Sequence, residues 1–492
     1  MPLVAVQLDA ALALTPLNRS LLLLTNGRIS KSKNLMKAPS GILSSFAPAL
    51  VGLLLLLSHV QSAAIDRSHY QELTKQLRER AKQKDWQGAR EVLENLGREL
   101  PAATPRYMLT VASIEMHLGH RAQALEWLRK FTATGLSYAI GKDDDLKALL
   151  NEPAGQRLAA EMKNNSKPVM ATQVVCSFPQ ADTMPEDITY VRSSGSFIVS
   201  SIRHHTLYRV TLPKAGATQC SMQELPLSAQ AKRWPILAVS FDPQRNVLWA
   251  TASAMPGFRG FPKEDEGKAM LMEIDPASGK LLSSFSPPAQ GPAVLGDMCI
   301  TGDGTVYVTD SIGGGVYRLR GGLRNSKLER IADGLFSPQT PVLARNGRRL
   351  FVADYTLGVA AIDLPPSGAM GKVSYLPHPE NIADVALDGL YMDGDSLIGI
   401  QNGTEPIRIL RLRMDHAQTK ITSASVIEQG SSRMGDPTHA VLANGWFYVS
   451  ANVGWSNVDD TGELRKGASF SPPVLLRFRA TAGSGESATT LQ

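Results

Sequence analysis

Six short hydrophobic segments recur through the second part of this 492-residue chain: Phe197-Ile198-Val199-Ser200, Val247-Leu248-Trp249-Ala250, Val306-Tyr307-Val308-Thr309, Leu350-Phe351-Val352-Ala353, Leu397-Ile398-Gly399-Ile400 and Phe447-Tyr448-Val449-Ser450. Their first residues lie 44 to 59 positions apart, the period of a propeller blade. Turn sequences such as Gly302-Asp303-Gly304, Asn346-Gly347, Asp393-Gly394 and Asn444-Gly445 precede most of them. A further alternating strand follows most, as in Val316-Tyr317-Arg318-Leu319 and Ile409-Leu410-Arg411-Leu412. Each unit therefore supplies several antiparallel strands. Six units closing radially leave no long sheet edge exposed. The pattern predicts an all-β, six-bladed β-propeller over residues 169–480, with 173–178 adding a strand to the blade that contains 475–479 and so closing the ring.

The period is different upstream. Over residues 65–168 apolar side chains recur at helical spacing, glycine is sparse, and Glu, Lys, Arg, Gln, Leu and Ala dominate. Tyr70, Leu73, Leu77 and Ala81 make one stripe, and Trp86, Ala89, Val92, Leu93 and Leu96 the next. Thr104-Pro105 reads as a cap followed by a helix-compatible proline. Leu118-Gly119-His120 reads as a turn into a helix over Arg121 to Leu128, and residues 143–153 as a terminal helix. This small all-α region resembles tetratricopeptide repeats, which implies a groove for a protein or peptide partner. Helix pairs of this kind also serve as a stalk or cap.

The amino terminus reads as an address. Residues 41–57 carry no charge and end in five consecutive leucines, Leu53 to Leu57. They follow Arg28, Lys31, Lys33 and Lys37 and precede the small residues Ser62-Ala63-Ala64. That order predicts a signal peptide within residues 1–64, with translation starting at Met36, and a secreted or periplasmic protein. An uncleaved membrane anchor is the alternative; no later segment is apolar for long enough to span a bilayer. The formal charge of the whole chain is +6, but Arg19, Arg28, Lys31, Lys33 and Lys37 against Asp9 place +4 in the leader. The remaining 46 basic and 44 acidic residues give no nucleic-acid footprint. Cys176, Cys220 and Cys299 are too few for a disulfide scaffold and form no zinc-type cluster; whether Cys176 and Cys220 pair stays open at this point. Residues 481–492 read as a disordered tail.

The innermost strands of a propeller converge at one face, so side chains far apart in the chain meet there. The residues just before them read Pro185-Glu186-Asp187-Ile188, Leu295-Gly296-Asp297-Met298, Ser337-Pro338-Gln339-Thr340, Leu387-Asp388-Gly389-Leu390 and Asp436-Pro437-Thr438-His439. Each offers an oxygen donor or an imidazole, and carboxylates with amide carbonyls are the hard ligands that Ca²⁺ or Mg²⁺ prefers. At these residues, and over roughly 170–480, the chain resembles the regucalcin/gluconolactonase (senescence marker protein) family of six-bladed propellers. There a Glu, an Asn and an Asp in an Asp-Gly-Leu-like turn hold one divalent cation that polarises a lactone carbonyl. The resemblance implies Glu186, Gln339 and Asp388 as metal ligands, with Ca²⁺ the expected ion. It departs from the family at Asp187, where a Gly is usual, at Gln339, where an Asn is usual, and at Asp297, where an Asn faces substrate.

In a catalytic reading Asp388 or Asp297 activates water or relays a proton, and His439 positions substrate or serves as a second general base. The ligand is then a small lactone, ester or sugar derivative. Polar residues at these places also bond backbone groups around the channel, and Asp-Gly commonly serves turn geometry. The rival function is a non-enzymatic extracytoplasmic binding or scaffold protein that uses the propeller face and the helices. Asp310-Ser311 and Asp354-Tyr355 read as strand-end caps, and Gly313-Gly314-Gly315 as a hairpin turn. No G-x-S-x-G or H-E-x-x-H occurs, which argues against a serine-elbow hydrolase and a zinc protease. The long loop over 255–268 is expected to cover the axial site, with a solvated insertion as the alternative.

Overall fold

The computed structural model describes residues 65–138, 144–288, 291–321, 326–365 and 369–481. The predicted leader, and the predicted tail beyond Thr481, lie outside the described residues.

Among the described residues six helices come first: α1 Arg67–Lys82, α2 Trp86–Glu99, α3 Pro105–His117, α4 Arg121–Ala133, α5 Asp144–Asn151 and α6 Pro153–Asn165. Their starts follow local chemistry. Asp66 accepts from the amides of Ser68 and His69 ahead of α1, and Thr104 accepts from the amide of Tyr107, with Pro105 opening α3. Gly119, at φ +80°, makes the turn into α4. The apolar stripes meet as expected: Leu73 and Leu77 pack with Ala89, Val92, Leu93, Leu96, Val111 and Ile114. The terminal helix expected over 143–153 is α5, but it is not the last: Pro153 cannot continue it and instead opens a further helix, α6.

The propeller follows, each blade a four-stranded antiparallel sheet numbered outward from the axis. Blade 1 has β3 Ile188–Val191, β4 Ser196–Ser201, β5 Thr206–Thr211 and β6 Ser221–Glu224. Blade 2 has β7 Ile236–Asp242, β8 Val247–Ser253, β9 Ala269–Ile274 and β10 Leu281–Phe285. Blade 3 has β11 Leu295–Ile300, β12 Val306–Asp310, β13 Gly315–Leu319 and β14 Glu329–Ala332. Blade 4 has β15 Pro338–Leu343, β16 Arg349–Asp354, β17 Gly358–Asp363 and β18 Val373–Tyr375. Blade 5 has β19 Leu387–Asp393, β20 Ser396–Gln401, β21 Arg408–Met414 and β22 Ile421–Gln429, with β1 Val169–Met170 added at its edge. Blade 6 joins β23 Ala440–Ala443, β24 Trp446–Ala451 and β25 Val474–Arg479 to β2 Gln173–Ser177, so its outer strand comes from the start of the domain. The six segments that repeat in the sequence are β4, β8, β12, β16, β20 and β24, the second strand of every blade.

Blade packs on blade through apolar side chains. Blade 1 meets blade 2 through Ile198, Leu207, Leu248 and Met272, and blade 6 meets blade 1 through Tyr448, Leu475, Phe197 and Val199. At that last junction a Cys176–Cys220 disulfide, with Cα atoms 5.4 Å apart, links β2 to the segment before β6. Among the described residues no helix is long and apolar enough to cross a membrane.

The second strand of each blade returns to the face from which the inner strand departs, here the mouth face. The helices sit on that face, against blades 3 to 5. The Arg67 guanidinium donates to the carbonyl of Ile312 at 2.8 Å, the Tyr70 ring meets Phe336 at 4.7 Å, and the amide of Ser137 donates to Glu405 O at 2.7 Å. Arg408, 3% exposed, donates to Thr134 O at 3.0 Å and to Gln401 Oε1 at 2.8 Å. Burial pushes its guanidinium down to about 10, which leaves it charged at neutral pH. Arg408→Leu strands both acceptors and is expected to lower the unfolding free energy by about 2–4 kcal/mol in urea titrations. A loss under about 1 kcal/mol would mean that other contacts hold the helices to blade 5.

Candidate functional site

The inner strands are irregular where they bear the site. Register shifts fall between Ile236 and Val239 in β7, Leu295 and Met298 in β11, Pro338 and Pro341 in β15, and Leu387 and Gly389 in β19. In β11 the pairs Leu295–Asp310 and Met298–Val308 leave Gly296 and Asp297 opposite Thr309 alone, whose hydroxyl lies 3.3 Å from the Asp297 amide and 3.2 Å from its carbonyl. In β15 the same two-for-one arrangement frees Gln339 and Thr340. Such bulges re-aim side chains, and here they send Asp297, Gln339 and Asp388 toward the axis. Asp388-Gly389 is therefore not the turn read from the sequence; it lies inside β19. Gly389 is required by close approach, since a Cβ there would stand 2.9 Å from the Thr438 carbonyl and 2.8 Å from the Tyr391 ring.

A narrow polar cavity, with space for a water molecule or an ion, is lined by Glu186, Asp297, Gln339, Asp388, Tyr355 and Trp455. A second cavity adjoins it through Asp297, and His439 and Asp187 line that one. The five predicted site residues are all buried and surround the axis together. The ligand atoms of Asp297, Asp388 and His439 lie within 4.8 Å of one another. Glu186 is outside that group, its Oε2 accepting a 2.6 Å hydrogen bond from the Trp455 indole. The Gln339 side-chain amide donates to Ser337 Oγ at 3.0 Å. His439 places Nε2 3.0 Å from Asp297 Oδ1 and Nδ1 2.9 Å from the Glu186 carbonyl oxygen. Asp187 spends its oxygens on the amides of Ile188 and Val239.

Burial and the Asp388 charge push the Glu186 carboxyl well above the ordinary carboxylate range. Asp388 rises to about 6 through burial, with the Asp297 charge adding to it and His439 opposing. For His439 burial works against protonation, but the charges of Asp297, Asp187 and Asp388 outweigh it and raise the imidazole well above its usual value. The cavity thus gathers carboxyl groups in a poorly solvated place where ionising all of them is costly.

Several partners were read in the sequence only as strand-end caps or were not read as site residues. Asn402 donates to Asp388 Oδ2 at 2.6 Å and to Pro437 O at 3.0 Å, and accepts from the Tyr355 hydroxyl at 2.9 Å. The Thr340 hydroxyl lies 3.1 Å from Asp297 Oδ2 and 2.8 Å from Asp388 O, donating to one at a time. Ser311, Tyr355 and Asn402 each follow the end of a second strand, and that shared position was the available signal. Their neighbours do cap backbone: Asp310 accepts from Val294 and Gly313, and Asp354 from Phe336, Ser337 and Thr356. The 255–268 loop reaches the site indirectly. Phe258 packs on Trp455 with ring centroids 6.0 Å apart, and the Arg259 amide donates to Thr461 O at 3.0 Å.

No protein-family model and no curated protein sequence matches the chain. Among solved structures, the PQQ-bound aldose sugar dehydrogenase of Streptomyces coelicolor aligns at 14% identity over 63% of this chain and 98% of its own, with a TM-score of 0.41. A glucose dehydrogenase-type putative oxidoreductase of Thermus thermophilus aligns at 16% over 63% and 99%, TM-score 0.41. Virginiamycin B lyase of Staphylococcus aureus aligns at 13% over 56% and 80%, TM-score 0.38. At these identities nothing about the chemistry of the site follows from them.

Proposed function

We propose that this is an exported propeller protein that holds a divalent cation at its axis and hydrolyses a small lactone or ester there. The observation that supports it is the convergence of Glu186, Asp297, Gln339 and Asp388, from four different blades, on one narrow buried cavity. Three carboxyl groups in such a place are costly to ionise together, and a divalent cation offsets that cost. The donors fit one: carboxylate oxygens, and a Gln339 carbonyl left free by the bonding of its amide nitrogen to Ser337. The resemblance assigns the ion to Glu186, Gln339 and Asp388. A bound divalent cation would supply Lewis-acid polarisation of the substrate carbonyl. Asp297 or Asp388 takes the proton of the attacking water, and His439, its Nδ1 fixed on the Glu186 carbonyl, holds Asp297 in place. Trp455 and Tyr355 line the cavity and limit the water that reaches it. The apolar run over 41–57 and the Cys176–Cys220 disulfide support export.

The helical hairpins on the mouth face favour a second reading, in which they and the propeller hold a protein without catalysis. Calorimetric titration of purified wild type with CaCl₂, MgCl₂ and MnCl₂, followed by a panel of lactones and esters, separates the two. Turnover is expected to require a cation, to cease with chelator, and to fall at least about 100-fold in Asp388→Ala. Equal turnover in wild type and Asp388→Ala would refute the mechanism.

A further inference from the structure

We propose that the axial cation is held by Asp297, Asp388 and His439, and that this carboxylate–carboxylate–imidazole set selects a first-row transition ion, Mn²⁺ through Zn²⁺, over Ca²⁺. This rests on the reading of the axis as a cation site and changes both the ligands and the ion. The argument starts from His439. Its Nδ1 faces the Glu186 carbonyl oxygen at 2.9 Å, and a carbonyl oxygen only accepts, so Nδ1 carries the hydrogen. In its neutral form, the form that ligates a cation, the ring turns a lone pair outward at Nε2. That atom is fully buried and makes no hydrogen bond, in a residue only 2% exposed, yet it stands 3.0 Å from Asp297 Oδ1. A lone pair and a carboxylate oxygen repel at that separation unless a proton or a cation lies between them. Two neighbouring ligands of an ion, each ~2.1 Å from it and at right angles, are ~3 Å apart.

The surroundings are those of a ligand set held from behind. The Thr340 hydroxyl faces Asp297 Oδ2, the Asn402 amide takes Asp388 Oδ2, and the Glu186 carbonyl takes the His439 Nδ1 hydrogen. Each candidate ligand is thus fixed through one atom with another left over, the arrangement that orients metal ligands. Glu186, by contrast, has its carboxylate engaged by Trp455. Imidazole nitrogen suits Mn²⁺-to-Zn²⁺ chemistry better than Ca²⁺, which takes oxygen ligands. The 4.8 Å span of the three ligand atoms admits one ion among them.

The test is metal binding, read without reference to turnover. Wild type and His439→Asn are titrated with MnCl₂, ZnCl₂ and CaCl₂ after chelation and dialysis; asparagine keeps a donor for the Glu186 carbonyl but removes Nε2. Mn²⁺ or Zn²⁺ is expected to bind wild type at least about 100-fold more tightly than the variant, and tenfold excess Ca²⁺ should not displace it. Electron spin echo spectra of Mn²⁺-loaded wild type should show ¹⁴N modulation from a bound imidazole, a readout that survives if the variant does not fold. Absent modulation, or Ca²⁺ binding equally well to both proteins, overturns the proposal and leaves hydrolysis at an all-oxygen site standing. Mn²⁺ binding with nitrogen modulation but no turnover of any lactone or ester supports the ligand set and removes the hydrolase reading. Failure of every ion to bind removes both and leaves a proton between His439 and Asp297.

Discussion

Replacing both Cys176 and Cys220 with serine is expected to destabilise the chain by about 4 kcal/mol, the loop-closure cost of freeing a 44-residue cross-link. The bond sits where that cost matters. Blade 6 is completed by β2, and around the cystine the Ser177 amide donates to Thr218 O while the Cys220 amide donates to Ser177 O, both at 2.9 Å. These bonds and the disulfide join the strand that closes the ring to the outer edge of blade 1. Both sulfurs are buried, so serine also leaves hydroxyls in an apolar cluster with Phe178, Ile188 and Phe197. In a thermal scan the midpoint should fall on the order of 5 °C, and wild type unfolded in reductant should approach the variant. A change under about 1 kcal/mol would show that the blade 6 to blade 1 packing alone secures closure.

Asp388→Asn is expected to raise the stability of the metal-free protein at pH 7.5. The Asp388 carboxyl goes from 3.8 to about 6 in the fold, so the fold prefers it protonated. Below 3.8 it is protonated in both states and costs nothing; the penalty grows between 3.8 and about 6 and is complete above. Its full size is on the order of 2–3 kcal/mol. His439, raised as well, acts in the same direction: its stabilisation is present below the unfolded imidazole value of 6.5 and is lost as pH rises through the folded one. The difference between variant and wild type should therefore vanish near pH 4 and be largest above pH 7. Adding cation at pH 7.5 reverses the order, because wild type gains by mass action and the variant does not. Urea titrations at pH 4 and 7.5, with and without cation, measure all four values. A metal-free variant less stable than wild type at pH 7.5 would mean that the carboxylate is well compensated without an ion.

The propeller was legible because β period, turn residues and blade spacing agree with one another. Asn444-Gly445, both at positive φ, is a turn that only a hairpin accounts for. Closure by 173–178 was legible for the same reason, since blade 6 otherwise has three strands. The candidate residues were legible as positions, because every inner strand starts at the axis. What they touch was not. The bulges in β7, β11, β15 and β19 leave no sequence mark, as they are set by pairing with the neighbouring strand. Asp388-Gly389 resembled a turn because a glycine needed for close approach and one needed for positive φ are the same letter. Asn402 and Tyr355 were hidden by their position after second strands, where polar residues are ordinary. Helix period predicted the stripes of α1 and α2, but nothing in it predicted that the helices dock on the mouth face, which depends on single contacts such as Arg408 with Thr134.

The closure of blade 6 also has a consequence in time. β2 is the first strand of its blade to be synthesised and its partner β25 is the last of that blade; Gln173 and Arg477, which hydrogen-bond across them, are 304 residues apart. At ribosomal rates of about 5–20 residues per second that strand waits about 15–60 s for a partner. Cys220 emerges only 44 residues after Cys176, so the cystine can tether the waiting strand to blade 1 long before blade 6 exists. A chain stopped before Val474 would keep that edge open, ready to pair with whatever strand it meets.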